Sequence, residues 1–320
     1  MQIIIRIFLQ NILPVFLLIS LGFFLGRKFT IDINSLSKIN FYLLIPSFMF
    51  TNLYMTEIGI EAIKALIVTL LILATNFLMG FLIAKFRKYD PGMGNAFQNS
   101  LMFYNSGNIG IPLITLVYST GTFLINGETP YLTIALTTQI MVLLVQNVSI
   151  NTFGFFNASR SNRPWKRALI QIFKMPAIYA VALAFLLKNI PFDFTLTPFW
   201  PALSYLKNAL VPIALISLGV QLTKSKLKFN DGSVWLAVIV RLVIGPMIAY
   251  LYIRLLGVDG IVAQALLISS AVPTAVNTAL IAVECKNHPD YATHIVVLST
   301  LFASITLIAV IFLSTLWFPI

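Results

Sequence analysis

Charge is scarce in this chain. Only 10% of its 320 residues are Asp, Glu, Lys or Arg, against roughly 25% in soluble domains, too few to coat a water-soluble fold of this size. One cysteine, Cys285, excludes an internal disulfide, and two histidines, His288 and His294, form no metal-ligand cluster. Acidic residues are the rarest charged class: Asp32, Glu57, Glu61, Asp90, Glu128, Asp193, Asp231, Asp259, Glu284 and Asp290 all fall between apolar runs or at their ends. Glu284 comes nearest to a run's interior, so the mid-membrane carboxylate usual in proton and sodium antiporters is missing. With no phosphate-cradling loop and no His/Asp/Glu constellation, neither enzymatic chemistry nor a cofactor is expected.

What is present is apolar: 59% hydrophobic residues and a mean hydropathy of +0.93. Cutting at charged or turn-rich junctions gives ten spans, approximately 7 to 26, 36 to 55, 62 to 84, 93 to 119, 131 to 155, 167 to 188, 202 to 222, 233 to 255, 261 to 285 and 291 to 317. Each is near the ~20 residues that cross a bilayer. The first run ends at Arg27-Lys28 with no small-residue cleavage site, and reads as a membrane helix rather than a signal peptide. The net charge of +11 comes from residues in short junctions, not from one basic face, so no nucleic-acid partner is expected. Lys and Arg alternate instead: 14 lie in the junctions after odd-numbered spans, at Arg27, Lys28, Lys38, Lys85, Arg87, Lys88, Arg160, Arg163, Lys166, Arg167, Lys224, Lys226, Lys228 and Lys286. Five lie opposite, at Arg6, Lys64, Lys188, Lys207 and Arg254. By the positive-inside rule the odd junctions are cytoplasmic and both termini lie outside a multi-pass cytoplasmic membrane protein.

Punctuation repeats between the halves. Pro46 and Pro212 are 166 positions apart, as are Gln98 and Gln264, while Pro14 and Pro176 are 162 apart. Five spans per half is an odd number, so the second half must enter the membrane from the opposite face. The expected fold is all-α, a five-plus-five inverted repeat, with residues 1–156 as the first repeat, 157–166 as a cytoplasmic loop and 167–320 as the second. Chance sharing of prolines by apolar helices is the competing explanation.

Spans four and nine read long because each is interrupted. In span four, Asn105-Ser106-Gly107-Asn108-Ile109-Gly110-Ile111-Pro112 combines two flexible glycines, a proline that removes an N–H and two amide side chains that donate and accept. In span nine, Pro273 and Asn277 are flanked by Ser269, Ser270, Thr274 and Thr278. Bilayers tolerate broken helices only where protein or a watery cavity satisfies the freed backbone groups, so paired breaks mark a ligand path. Two crossed breaks with half-helix N-termini at the centre favour an anion. The candidate substrate-binding residues are Asn105, Gly107, Asn108, Gly110, Pro112, Pro273, Thr274 and Asn277; close helix packing by small residues is the plainer account of several. Arg241, mid-span, has two readings: a charge role toward an anion or a neighbouring helix, or snorkelling and carbonyl pairing. Asn76, Gln98, Gln139, Gln146, Asn147 and Gln264 either line the path or bond helix to helix.

The motif 105–112, with Pro273, Asn277 and ten spans around them, resembles the auxin efflux carrier family in its compact prokaryotic form, across essentially the whole chain. That resemblance implies a fold similar to bile-acid and sodium/proton carriers, with spans four and nine crossing at Pro112 and Pro273. It implies a scaffold of spans one, two, six and seven, and a transport domain of spans three to five and eight to ten moving in an elevator-like way. Asn105, Asn108 and Asn277 match positions near which a carboxylate is held, and bacterial members are described as malate or malonate permeases. The expected function is a secondary transporter of small organic anions, with the lipid bilayer as its setting and a homodimer through the scaffold helices left open. An anion channel and an ion-coupled symporter or antiporter of the same fold are the alternatives.

Overall fold

The computed structural model describes residues 2–56, 59–159, 175–223 and 231–320. Glu57, the basic residues Arg160, Arg163, Lys166, Arg167, Lys224, Lys226 and Lys228, and the start of the span at 167 lie outside them.

Among the described residues the regular elements are helical: α1 (Gln2–Lys28), α2 (33–55), α3 (Ile60–Phe86), α4 (Pro91–Met102), α5 (106–119), α6 (Leu132–Ala158), α7 (Pro176–Lys188), α8 (Phe199–Leu222), α9 (Gly232–Leu255), α10 (Gly260–Ser270), α11 (Val276–Glu284) and α12 (Pro289–Trp317). Six of these, α1, α3, α6, α8, α9 and α12, are long and apolar enough to cross a membrane. Side chains such as Phe24, Leu78, Phe81, Leu251 and Ile305 point outward and exposed, as an apolar solvent requires. Aspartate caps start several helices: Asp32, Asp90 and Asp231 accept backbone N–H bonds at the first turns of α2, α4 and α9.

Four prolines follow widened helical turns. Pro14, Pro46, Pro112 and Pro246 each lie two residues beyond a five-residue π-type turn, at Phe8–Ile12, Asn40–Leu44, Ser106–Gly110 and Val240–Ile244. A proline clashes with the carbonyl one turn back. Widening the preceding turn moves that carbonyl aside, and the helix continues. Pro212, by contrast, sits inside regular helix in α8.

The helices pack as two groups. In one, α8 lies along α1 and α2, and α7 against α2. The α1–α8 approach is backbone on backbone: a Cβ on Gly22 would run into the Ile216 carbonyl, and one on Gly219 into the Ile19 carbonyl. Small residues at a crossing allow this in lipid, where association relies on van der Waals packing. In the other group, α3 packs on α4, α6 and α9, α10 packs on α6, α9 and α12, and α11 packs on α12. Helix α6 is the most enclosed of the long helices, 72% of its most apolar stretch being buried. The groups meet where α8 touches the start of α5, where α2 touches α6, and where the first turns of α1 touch α5 and α12.

Candidate functional site

Non-helical residues 103–105, between α4 and α5, run antiparallel to residues 271–275, between α10 and α11. Asn105 N–H donates to the Pro273 carbonyl at 2.8 Å, Ala275 N–H donates to the Phe103 carbonyl at 2.9 Å, and Tyr104 sits opposite Thr274. The first interruption therefore lies upstream of where the Gly/Asn/Pro motif suggests. Gly107, Gly110 and Pro112 belong to the helical start of α5, because its π-type turn absorbs the proline. The crossing is built at Pro273 on one side only; Pro112 is seven residues beyond Asn105, inside α5.

Every carbonyl freed at the end of α4 has a donor. Asn99 O accepts from Phe103 N–H (3.2 Å), Ser100 O from the Thr274 hydroxyl (3.0 Å), Leu101 O from Arg241 Nη1 (3.0 Å) and Met102 O from Gln146 Nε2 (3.4 Å). Gln146 Oε1 also accepts from Tyr104 N–H at 3.1 Å. At the end of α10, Arg241 Nη2 donates to Ser270 O. Gln139 Nε2 donates to Ser106 O at 2.7 Å, in the space that a side chain at Gly110 would fill. Gly154 gives room to Phe103, whose ring a Cβ there would strike at 2.8 Å.

Arg241 is 1% exposed, and the span-centre arginine pairs with carbonyls rather than snorkelling. A buried ion without a counter-charge costs several kcal/mol. Three features offset that cost: the two carbonyls, the partial negative ends of two helices at roughly half a charge each, and the Tyr104 ring, whose centre lies 4.7 Å from the guanidinium carbon.

The opposite side of the crossing is donor-rich. A cavity of about 500 Å³ lies against the first turns of α5 and α11, bounded across from them by α2 and α8. Asn105 is 5% exposed and lines the cavity; its Oδ1 caps the Asn108 amide at 3.2 Å, while its Nδ2 is buried with no partner among the described residues. The amides of Gly107, Val276 and Asn277, at the two N-termini, likewise have no hydrogen-bond acceptor among the described residues. Across the cavity Asn40, hydrogen-bonded to Ser217 at 3.4 Å, holds its Oδ1 buried with no partner among the described residues.

Of the sequence candidates, the cavity brings together Asn105, Gly107, Asn108 and Asn277. Gly110, Pro112, Pro273 and Thr274 do not line it: Pro273 and Thr274 belong to the crossing, and Gly110 and Pro112 to the first turns of α5. Thr274 is spent on Ser100 O, and its N–H on the Ser299 hydroxyl at 3.2 Å. Gln98 and Gln264 are inter-helix glue, bonded to Asn157 (3.1 Å) and to Tyr118 and Phe318 (3.2 and 2.6 Å). The sequence reading missed Lys38, Asn40, Ser217 and Gln221 on the facing wall. Lys38, counted with the junction residues by the charge pattern, lies on α2 and is exposed at the cavity. The available signal was the polar run Asn34, Ser37, Lys38, Asn40 at the head of an apolar span.

An all-helical membrane protein whose two interrupted helices cross beside a polar cavity belongs to the class of membrane transporters. A sequence profile described as membrane transport protein matches residues 7–311. The chain belongs to that family, the auxin-efflux-carrier group that the 105–112 motif resembles. It is similar to an uncharacterised transporter of Methanothermobacter thermautotrophicus, 26% identical over 93% of this chain and 95% of the relative. It is also similar to an uncharacterised transporter of Methanocaldococcus jannaschii, 31% identical over 35% of this chain and 37% of that protein.

Proposed function

We propose that this transporter is a secondary carrier of small organic anions, carboxylates among them, working by alternating access around the crossing of α4–α5 with α10–α11. The observation that carries this reading is the cavity itself: among the described residues, two helix N-termini, the amides of Gly107, Val276 and Asn277 and the unpartnered Asn105 Nδ2 face one space whose wall carries no carboxylate. Donors without acceptors suit an anion, and each N-terminus adds partial positive charge.

In this reading the chain has ten spans, α4–α5 and α10–α11 each counting as one, in two inverted sets of five. Helices α1, α2, α7 and α8 are the scaffold, and the rest are a transport domain that slides against it in an elevator-like way. The cavity's position between the two helix groups supports that division. Asn34, Ser37 and Lys38 at the head of α2 line the cavity and are exposed, a few residues along the chain from the basic pair Arg27 and Lys28. The carrier is thus inward-open, with both termini outside the cytoplasmic membrane.

The test is a thermal-shift screen of purified protein against carboxylic acids, amino acids and indole acids. A ligand that binds only the folded form raises the unfolding temperature. A carboxylate is expected to give a saturable shift that Asn108→Ala and Asn277→Ala lose while still inserting and folding. Wild-type shifts in both variants would remove the site assignment.

A further inference from the structure

We propose that Arg241 is a built-in cation, occupying the position a coupling metal ion would take, so that the carrier binds and moves its anion without sodium. The inference rests on the crossing being the transport site. In carriers with broken helices, the unwound carbonyls and the C-terminal ends of the half-helices are what coordinate sodium. Here the two half-helices that end at the crossing are α4 and α10. Arg241 donates one guanidinium N–H to the last turn of each, to Leu101 O at 3.0 Å and to Ser270 O. The neighbouring carbonyls on α4 are taken by Thr274 and Gln146, so no oxygen cage is left there.

The charge arithmetic agrees. Two helix C-termini contribute roughly half a negative charge each, and one guanidinium balances them. The group is closely enclosed: Tyr104 covers one face, Gly245 lies so close that a Cβ would sit 3.3 Å from the guanidinium carbon, and exposure is 1%, while Nε is buried with no partner among the described residues. Arg241 forms no ion pair with a carboxylate among the described residues, so the two helix ends are its counter-charge. With the cation covalently fixed, the translocated charge is that of the substrate alone.

The experiment is thermal unfolding of the full-length protein in sodium chloride and in choline chloride at equal ionic strength, followed by titration with guanidinium ion at low millimolar concentration. Wild-type protein is expected to unfold at the same temperature in both salts. Arg241→Ala is expected to unfold at a lower temperature and to regain stability, saturably, with guanidinium or sodium ion, a cation dependence that loss of packing alone does not create. Arg241→Lys is expected to keep the indifference to sodium, and together with the wild-type comparison it decides the matter if Arg241→Ala does not fold. A sodium-specific rise in the wild-type unfolding temperature, or an Arg241→Ala protein indistinguishable from wild type in both salts, would overturn the proposal. The Asn108 and Asn277 variants are read by carboxylate and not by sodium, so failure of the substrate site and failure of the built-in cation give different results.

Discussion

At the scale of single residues, the crossing separates amides that hold the backbone from amides that bond nothing among the described residues. Gln146 spends both ends of its side chain on the break, one on Tyr104 N–H and one on Met102 O. Truncation to alanine leaves a buried donor and a buried acceptor unsatisfied, each at about 1–3 kcal/mol. Gln146→Ala is therefore expected to lower the unfolding temperature whether or not a carboxylate is present. Asn277 differs: it is exposed at the cavity and bonds no other side chain among the described residues. Its alanine variant is expected to stay within about 0.5 kcal/mol of wild type in stability, as surface changes do, while losing the ligand response. Paired melting curves with and without carboxylate distinguish the two effects. Asn105 lies between these cases, since its Oδ1 caps α5 and its Nδ2 is free.

At the scale of elements, the crossing depends on which helix ends meet. Two C-termini, of α4 and α10, are closed by Arg241, Thr274 and Gln146, and two N-termini, of α5 and α11, are left open toward the cavity. One side of the crossing is closed by protein donors, and the other leaves amides without acceptors among the described residues, which is why the proposed anion is placed there. The α1–α8 pair shows a different economy, with Gly22 and Gly219 allowing backbones to touch. Gly219→Ala puts a methyl group into the Ile19 carbonyl, and rigid backbone cannot yield as a side chain would. The expected cost is about 1–3 kcal/mol by overpacking, seen as a lower unfolding temperature in detergent with the cavity-side carboxylate response retained.

At the scale of the whole molecule, the cavity lies between α2 and α8 on one side and the first turns of α5 and α11 on the other, and the proposed carrier cycle moves one wall against the other. The orientation is open to chemical test because the chain has one cysteine, Cys285. In a Cys285→Ser background, a membrane-impermeant maleimide added to intact cells is expected to label Asn126→Cys, in the turn between α5 and α6, and to spare Lys88→Cys, in the turn between α3 and α4. Labelling of the second and not the first would reverse the orientation. The family places the protein among membrane transporters; the labelling pattern decides which face the cavity of about 500 Å³ opens toward.

Much of this was legible in the chain because bilayers enforce simple rules. Apolar run length and scarce charge determine helices and exclude a soluble fold, and the clustering of Gly, Asn and Pro at 105–112 and around Pro273 marks interruption within a few residues. The exact break was not legible, since a π-type turn before Pro112 keeps that stretch helical and shifts the unwound residues to 103–105. Nor was the division of labour between Arg241 behind the crossing and Lys38, Asn40 and Gln221 in front of it. Local composition sets which residues can leave a helix, because that choice is made by each residue's own backbone chemistry. Which carbonyl meets which donor is decided between segments more than a hundred residues apart, as with Arg241 and Leu101, and only the packed structure brings them within hydrogen-bond reach.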